Sequence, residues 1–138
     1  VVVMDETNAR YLKKQDFADA IDAVTVDCSF ISIKTLLPVL KEVAGENGDI
    51  IALIKPQFEC GKKYLGKSGV LNDKKRLFEV IKDIYDFCLS CGFTVGDFTN
   101  SPKLERKNAE YLILLKQSGQ NMSFDSVKHV VENSQRSD

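Results

Sequence analysis

The 138-residue sequence has no apolar run near the length of about 18 residues that a bilayer-spanning helix needs. Nor does it open on a secretory leader. Its longest apolar stretches, such as Ile50 to Ile54, read as buried strands, so no membrane partner is expected. Four cysteines (Cys28, Cys60, Cys88 and Cys91) are too few and too scattered for a disulfide scaffold. A reducing cytoplasm is the expected compartment. Neither sign of charge is in excess: Lys+Arg 19 against Asp+Glu 20 gives a formal net charge of -1. A nucleic-acid partner must therefore be met by a local basic patch or by another part of a longer protein. Internal repeats and low-complexity linkers are missing too, so no second domain is expected. The chain opens Val1-Val2-Val3-Met4, without an initiator methionine and inside a strand-like run, and reads as a fragment or a trimmed piece.

The residues present describe a globular domain large enough to bury a core. Val1 to Met4 is a β-branched run and a predicted strand. Tyr11 to Ile21 reads as a short helix or loop. Ala23 to Asp27 is a second strand ending on an acid. Ser29 to Gly45 carries Ile33, Leu36, Leu37, Leu40, Val43 and Ala44 at helical spacing. Pro38 either kinks that helix or stands in the first turn of one beginning near Leu37. Asp49 to Lys55 is apolar enough to predict a strand buried on both faces. Gln57 to Leu71 is a loop rich in glycine and lysine. Asn72 is set to cap a helix running to Cys91, with Leu77, Ile81, Ile84, Cys88 and Cys91 on one face. Phe93 to Phe98 and Ala109 to Lys116 are strands flanking the polar loop Thr99 to Asn108. Ser123 caps a last helix. Strands alternating with helices give an α/β layered fold whose last two strands, having no helix between them, pair antiparallel.

In parallel α/β sheets, sites form at the carboxyl ends of strands. Asp27 and Lys55 close their strands, and Glu110 begins the last one. If that strand runs antiparallel, all three meet at one mouth. An amine between two acids can hold and partly deprotonate a weakly acidic hydroxyl. The same residues also fit a solvated rim of ion pairs. Cys88-Leu89-Ser90-Cys91 is a lone pair of thiols with no second pair or nearby histidine, short of the four ligands of a zinc site, and reads as core packing. His129, the only histidine, reads as a surface residue. Lys62, Lys63 and Lys67, with Lys103 and Lys107, lie in the two loops that flank the mouth, either as phosphate contacts or as ordinary loop lysines.

Several pieces occur in order: Thr7-Asn8-Ala9-Arg10, Val26-Asp27-Cys28-Ser29-Phe30-Ile31-Ser32, Ile54-Lys55-Pro56-Gln57-Phe58-Glu59, Gly69-Val70, Ser101-Pro102 and Asn108-Ala109-Glu110-Tyr111-Leu112. Together they resemble the hemolysin A (TlyA) family of ribosomal RNA methyltransferases, close to the FtsJ-like ribose 2'-O-methyltransferases. The resemblance runs from Val1 to about Lys116. It implies a Rossmann-like, S-adenosylmethionine-dependent fold with strand order 3-2-1-4-5-7-6 and an antiparallel last strand. It also implies a Lys-Asp-Lys-Glu tetrad, whose last three members match Asp27, Lys55 and Glu110. Lys55 would help activate a ribose 2'-hydroxyl, while Asp27 and Glu110 orient it. The methyl of S-adenosylmethionine would be attacked in line. By the same analogy Asn8 lies near the adenosine part of the cofactor and Asp27 near its methionine end. Lys62, Lys63 and Lys67 would meet RNA. The implied partner is ribosomal RNA or a ribosomal subunit. Membrane lysis, which the family name suggests, has no support in the residues.

The departures matter as much. The tetrad's first lysine, the glycine-rich cofactor loop and the family's S4 RNA-binding module have no counterpart here. Lys107 stands where the family carries a glycine before the Asn. Residues 1–117 are taken as the methyltransferase domain, without its first two strands, and 118–138 as a helix and tail. Val1 to Met4, as third strand, would then lack its neighbour and must shift, fray or pair with another chain as a homo-oligomer. The leading expectation is a fragment of an rRNA 2'-O-methyltransferase that is inactive alone. One alternative is a homologue that binds RNA or a partner without turnover. Another is a methyltransferase acting on a base or small molecule, against which Asp27-Cys28-Ser29-Phe30 stands in place of Asn-Pro-Pro-Tyr.

Overall fold

A computed structural model of the chain describes residues 1–102 and 107–135. Its centre is a four-stranded sheet of β1 (Ala23–Val26), β2 (Asp49–Ile54), β3 (Thr94–Asn100) and β4 (Tyr111–Lys116), in the order β1-β2-β4-β3. β1 and β2 are parallel, while β4 runs antiparallel to both β2 and β3. This is the α/β arrangement predicted from the sequence, with the hairpin-like last pair and β4 inserted inside β3. The order corresponds to the final 4-5-7-6 of the implied topology.

Among the described residues, three helices cover one face. In α1 (Ile33–Ala44) the Ser32 hydroxyl accepts from the Lys34 N–H and caps the first turn. The helix thus begins before Pro38 rather than near Leu37. Pro38 stands inside it on the exposed side, where its missing N–H leaves an unbonded carbonyl open to water. α2 (Lys74–Ser90) is capped by Asp73, one residue after the predicted Asn72. α3 (Phe124–Ser134) is capped by Ser123, as the sequence predicts. Leu36 and Leu37 of α1, Ile81, Ile84 and Cys88 of α2, and Val127 and Val131 of α3 join one core with Ile50, Ile54, Tyr111 and Leu115 of the sheet. Each such aliphatic side chain contributes about 1.5–3 kcal/mol by leaving water. α3 is further pinned to β3, where the Met122 N–H donates to the Val95 carbonyl and the Val95 N–H to Asn121 Oδ1. That bonding falls at the bulge between Val95 and Asp97.

Two expectations are corrected. Residues 1–4 form no strand and are exposed. β1 is the sheet edge, and a β-branched run has no strand propensity to realise without a ladder partner and a surface to pack on. β2 is not buried on both faces. Ile50, Ala52 and Ile54 are fully covered, but Ile51 is 40% exposed. Across the sheet on that side, Leu112 is 36% exposed and Thr25 and Thr99 are exposed too. The described helices all pack on the opposite face, which is why an apolar strand shows an alternating burial.

Candidate functional site

The site is built where strands end. Parallel pairing of Val26 with Ala52 sets Asp27 beside the last residues of β2. Antiparallel pairing of Ile54 with Tyr111 leaves Lys55 and Glu110 one step beyond the last paired rung of neighbouring strands. Pro56 follows Lys55 and holds it extended, at φ -115° and ψ 91°. From there Lys55 Nζ reaches Asp27 Oδ1 at 2.5 Å and donates to Ser29 Oγ at 3.0 Å. The Lys55 side chain is 13% exposed and that of Asp27 69% exposed. The ammonium is thus sheltered, and its counter-ion retains open acceptor positions facing solvent.

Glu110, at the start of the adjoining strand, bonds to Gln57 and not to Lys55. Its Oε1 accepts from Gln57 Nε2 at 3.1 Å, and the side-chain oxygen of Gln57, Oε1, is buried with no hydrogen-bond partner. Glu110, Gln57, Ser68, Val70, Pro102, Lys107 and Asn108 line a cleft of about 330 Å³. Asn108 shapes its wall: Oδ1 accepts from the Leu71 N–H at 2.8 Å, and Nδ2 donates to the Gly69 carbonyl at 3.0 Å. The lysine-rich loop is thereby tied to the start of β4. Lys62, Lys63 and Lys67 stand exposed on that loop, which is closed by a bridge between Leu65 and Leu71. Lys107 is exposed beside them, and Lys103 falls outside the described residues.

The next residues lock the segment after Lys55. The Glu59 carboxylate accepts from Ser32 Oγ at 2.7 Å and from the Ile33 N–H at 2.6 Å, at the start of α1. Both Arg76 Nε and Nη2 donate to the Cys60 carbonyl at 3.1 Å, and the guanidinium lies 4.5 Å from the centre of the Tyr64 ring. Burial pushes the Cys60 thiol above its ordinary range, partly offset by a backbone hydrogen bond and Arg76. Cys60 is thus a core thiol rather than a nucleophile.

Asn8 stands apart. It is not at a strand end; its side-chain oxygen accepts from the Arg10 N–H and caps a 3-10 turn, Ala9–Tyr11, that packs on α1. It shares no hydrogen bond or ion pair with Asp27, Lys55 or Glu110 among the described residues. The structure therefore joins Asp27 to Lys55 directly and sets Glu110 on the adjoining strand. It leaves Asn8 separate. Sequence reasoning passed over Ser29, Gln57 and Asn108 as partners, because short polar side chains in loops carry no spacing signal. Phe30 was passed over too. It is 90% exposed at φ +61°, with its ring 4.8 Å from that of Phe58. A left-handed aromatic is rare enough that no sequence pattern announces it.

The FtsJ-like methyltransferase family model matches residues 1–118. A predicted rRNA methyltransferase of Bacillus subtilis, YqxC, is 36% identical over 96% of this chain and 50% of its own length. The 16S/23S rRNA (cytidine-2'-O)-methyltransferase TlyA of Mycobacterium tuberculosis is 47% identical over 53% of this chain and 27% of its own length. The chain thus spans half or less of these curated relatives. A predicted hemolysin from Lactococcus lactis, solved by crystallography, superposes with a TM-score of 0.87 at 33% identity, covering 97% of this chain and 66% of that one. With strand order, strand-end residues and these likenesses agreeing, the chain belongs to the FtsJ-like methyltransferase family.

Proposed function

We propose that this chain is the part of an S-adenosylmethionine-dependent rRNA 2'-O-ribose methyltransferase that carries the hydroxyl-activating residues. One observation supports this most: Lys55 Nζ is sheltered at the end of β2, held by Asp27 and Ser29, with Glu110 on the next strand. In this reading the Lys55 amine, once it has released its own proton to solvent, accepts the proton of the ribose 2'-hydroxyl as the oxygen takes the methyl group. Asp27 keeps the amine aimed and balances its charge, and Glu110, at the start of the adjoining strand, adds a second negative charge near the mouth. Positioning of this kind accounts for much of the rate of such reactions. The likeness to TlyA, a 16S/23S rRNA (cytidine-2'-O)-methyltransferase, favours the same substrate class.

The residues present fit the polar ends of the cofactor. Asp27, with its open acceptor positions, suits the cationic amino end, and the Asn8 amide N–H groups, left free by its cap, suit the adenosine end. When bound, S-adenosylmethionine supplies the activated methyl group. Lys62, Lys63 and Lys67 meet RNA phosphates from the exposed loop beside the cleft. Work on ribosomal RNA sets the site of action in the cytoplasm.

The test is Lys55→Ala in the whole protein, with any sequence flanking this chain retained. Methyl transfer to rRNA is expected to fall by about 100-fold or more with the circular dichroism unchanged. Activity at the wild-type level would refute the role. Replacing Lys62, Lys63 and Lys67 together is expected to weaken RNA binding and to lower the slope of log affinity against log salt by about 3. An unchanged affinity and slope would remove them from the interface.

A further inference from the structure

We propose that Glu59 is a positioning residue for this site, setting Lys55 against Asp27 by clamping the segment after β2 onto the N-terminus of α1. The inference rests on the proposed role of Lys55 and extends it. Two segments leave the sheet side by side: residues 27–32 after β1 and residues 55–59 after β2. They are joined at their base by parallel pairing of Val26 with Ala52. Midway they are joined by Lys55 Nζ on Asp27 Oδ1 and Ser29 Oγ. At the far end the Glu59 carboxylate takes both the Ser32 hydroxyl and the Ile33 N–H, one on each oxygen. The result is a closed ring with Lys55 across its middle.

Three features show that Glu59 closes this ring firmly. Its bonds of 2.7 and 2.6 Å are charge-assisted, and they span 27 and 26 residues of sequence. The Ile33 N–H is one of the donors that a helix N-terminus leaves unbonded, so a carboxylate there also meets the positive end of the helix dipole. Finally, Lys55 and Glu59 both line the small void between the segments, with Cys28, Ile31, Ile33 and Leu53, and its volume is about 10 Å³. That is scarcely room for one water. The chain between the two residues thus has little slack, and a shift at Glu59 is passed to the Lys55 backbone.

Removing the clamp frees residues 55–59 to move by a fraction of an ångström, which misplaces the amine without removing it. Lys55 has no other ion pair among the described residues to restore its aim. The expected signature of Glu59→Ala is a kcat lowered about 10- to 100-fold with KM for RNA within about twofold. Glu59→Gln, which keeps an oxygen for one donor, is expected to recover a large part of that loss. Independently of turnover, the ammonium of Lys55 should give a proton–nitrogen correlation signal while it is held by Asp27 and Ser29, and lose it in Glu59→Ala. A wild-type kcat together with a retained ammonium signal in Glu59→Ala overturns the proposal, as does an equal loss in Glu59→Gln and Glu59→Ala. If Glu59→Ala fails to fold, Ser32→Ala, which removes one donor, carries the test by the same two readouts, and no change in either overturns it. Lys55→Ala measured alongside separates the two readings. Full activity there refutes the role of Lys55, while the ammonium signal still decides whether Glu59 sets its position.

Discussion

Lys55 and Cys88 are both sheltered, yet their surroundings act on them in opposite ways. Lys55 has an ionic partner at 2.5 Å and a hydroxyl at 3.0 Å, so its amine is aimed. Because Asp27 is largely exposed, water screens the pair, and its loss in Asp27→Asn is expected to change stability by no more than about 1 kcal/mol in urea titration while methyl transfer falls sharply. A loss of stability several times larger would mean that the pair holds the fold rather than the chemistry. Cys88 has no such partner. Burial, with the nearby Cys91 adding to it, pushes its thiol from 9.0 up to about 12. The folded protein keeps that proton where the unfolded chain releases it. Stability is therefore undiminished below about pH 9 and declines as pH rises from there towards 12. Denaturation measured from pH 8 to 11 should show a smaller alkaline loss in Cys88→Ala than in the wild type, and identical losses would contradict the burial argument. In the Cys-x-x-Cys pair, Cys88 is fully covered in the core and Cys91 packs partly exposed against it.

Among the elements, those with a strong period were legible and those that depend on neighbours were not. The α1 face of Leu36, Leu37 and Leu40, the α2 face of Leu77, Ile81 and Ile84, and the Ser123 cap are all local patterns, and each stands where the residues place it. The strand at residues 1–4 failed because strand formation needs a partner that the sequence around it does not supply. The burial of β2 was misread because an all-apolar strand says nothing about which of its faces a helix will cover. The site divides in the same way. Asp27 and Lys55 could be matched because they end strands, whereas Gln57, Asn108 and Glu59 act across 26 residues or more and have no local signature. The tight connection from α1 to β2 gives a further test. A β-carbon on Gly48 would lie 2.6 Å from the Ala44 carbonyl oxygen and 2.7 Å from that of Ile21. Both are backbone atoms that cannot swing aside, so Gly48→Ala should cost about 1–3 kcal/mol, read from the midpoint of thermal or urea unfolding. A variant as stable as the wild type would show that the connection has room to relax.

For the whole chain, the charge balance of -1 means that the proposed RNA contact must be made by local lysines or by another part of a longer protein, with no help from the overall field. The described residues hold three of the four implied tetrad members. They contain no glycine-rich turn from strand to helix of the kind that brings backbone amides to a dinucleotide-like cofactor. The chain on its own is accordingly expected to bind S-adenosylmethionine weakly, and micromolar binding by calorimetry would contradict this. The central claim concerns where the methyl goes, and mapping the labelled product tests it most directly. Ribosomal RNA incubated with the whole protein and S-adenosylmethionine labelled in its methyl group would be digested with alkali. A 2'-O-methyl group blocks cleavage of the adjoining phosphodiester, so the account predicts label in alkali-resistant dinucleotides, and none after Lys55→Ala. Label recovered in mononucleotides, on the base, would contradict it.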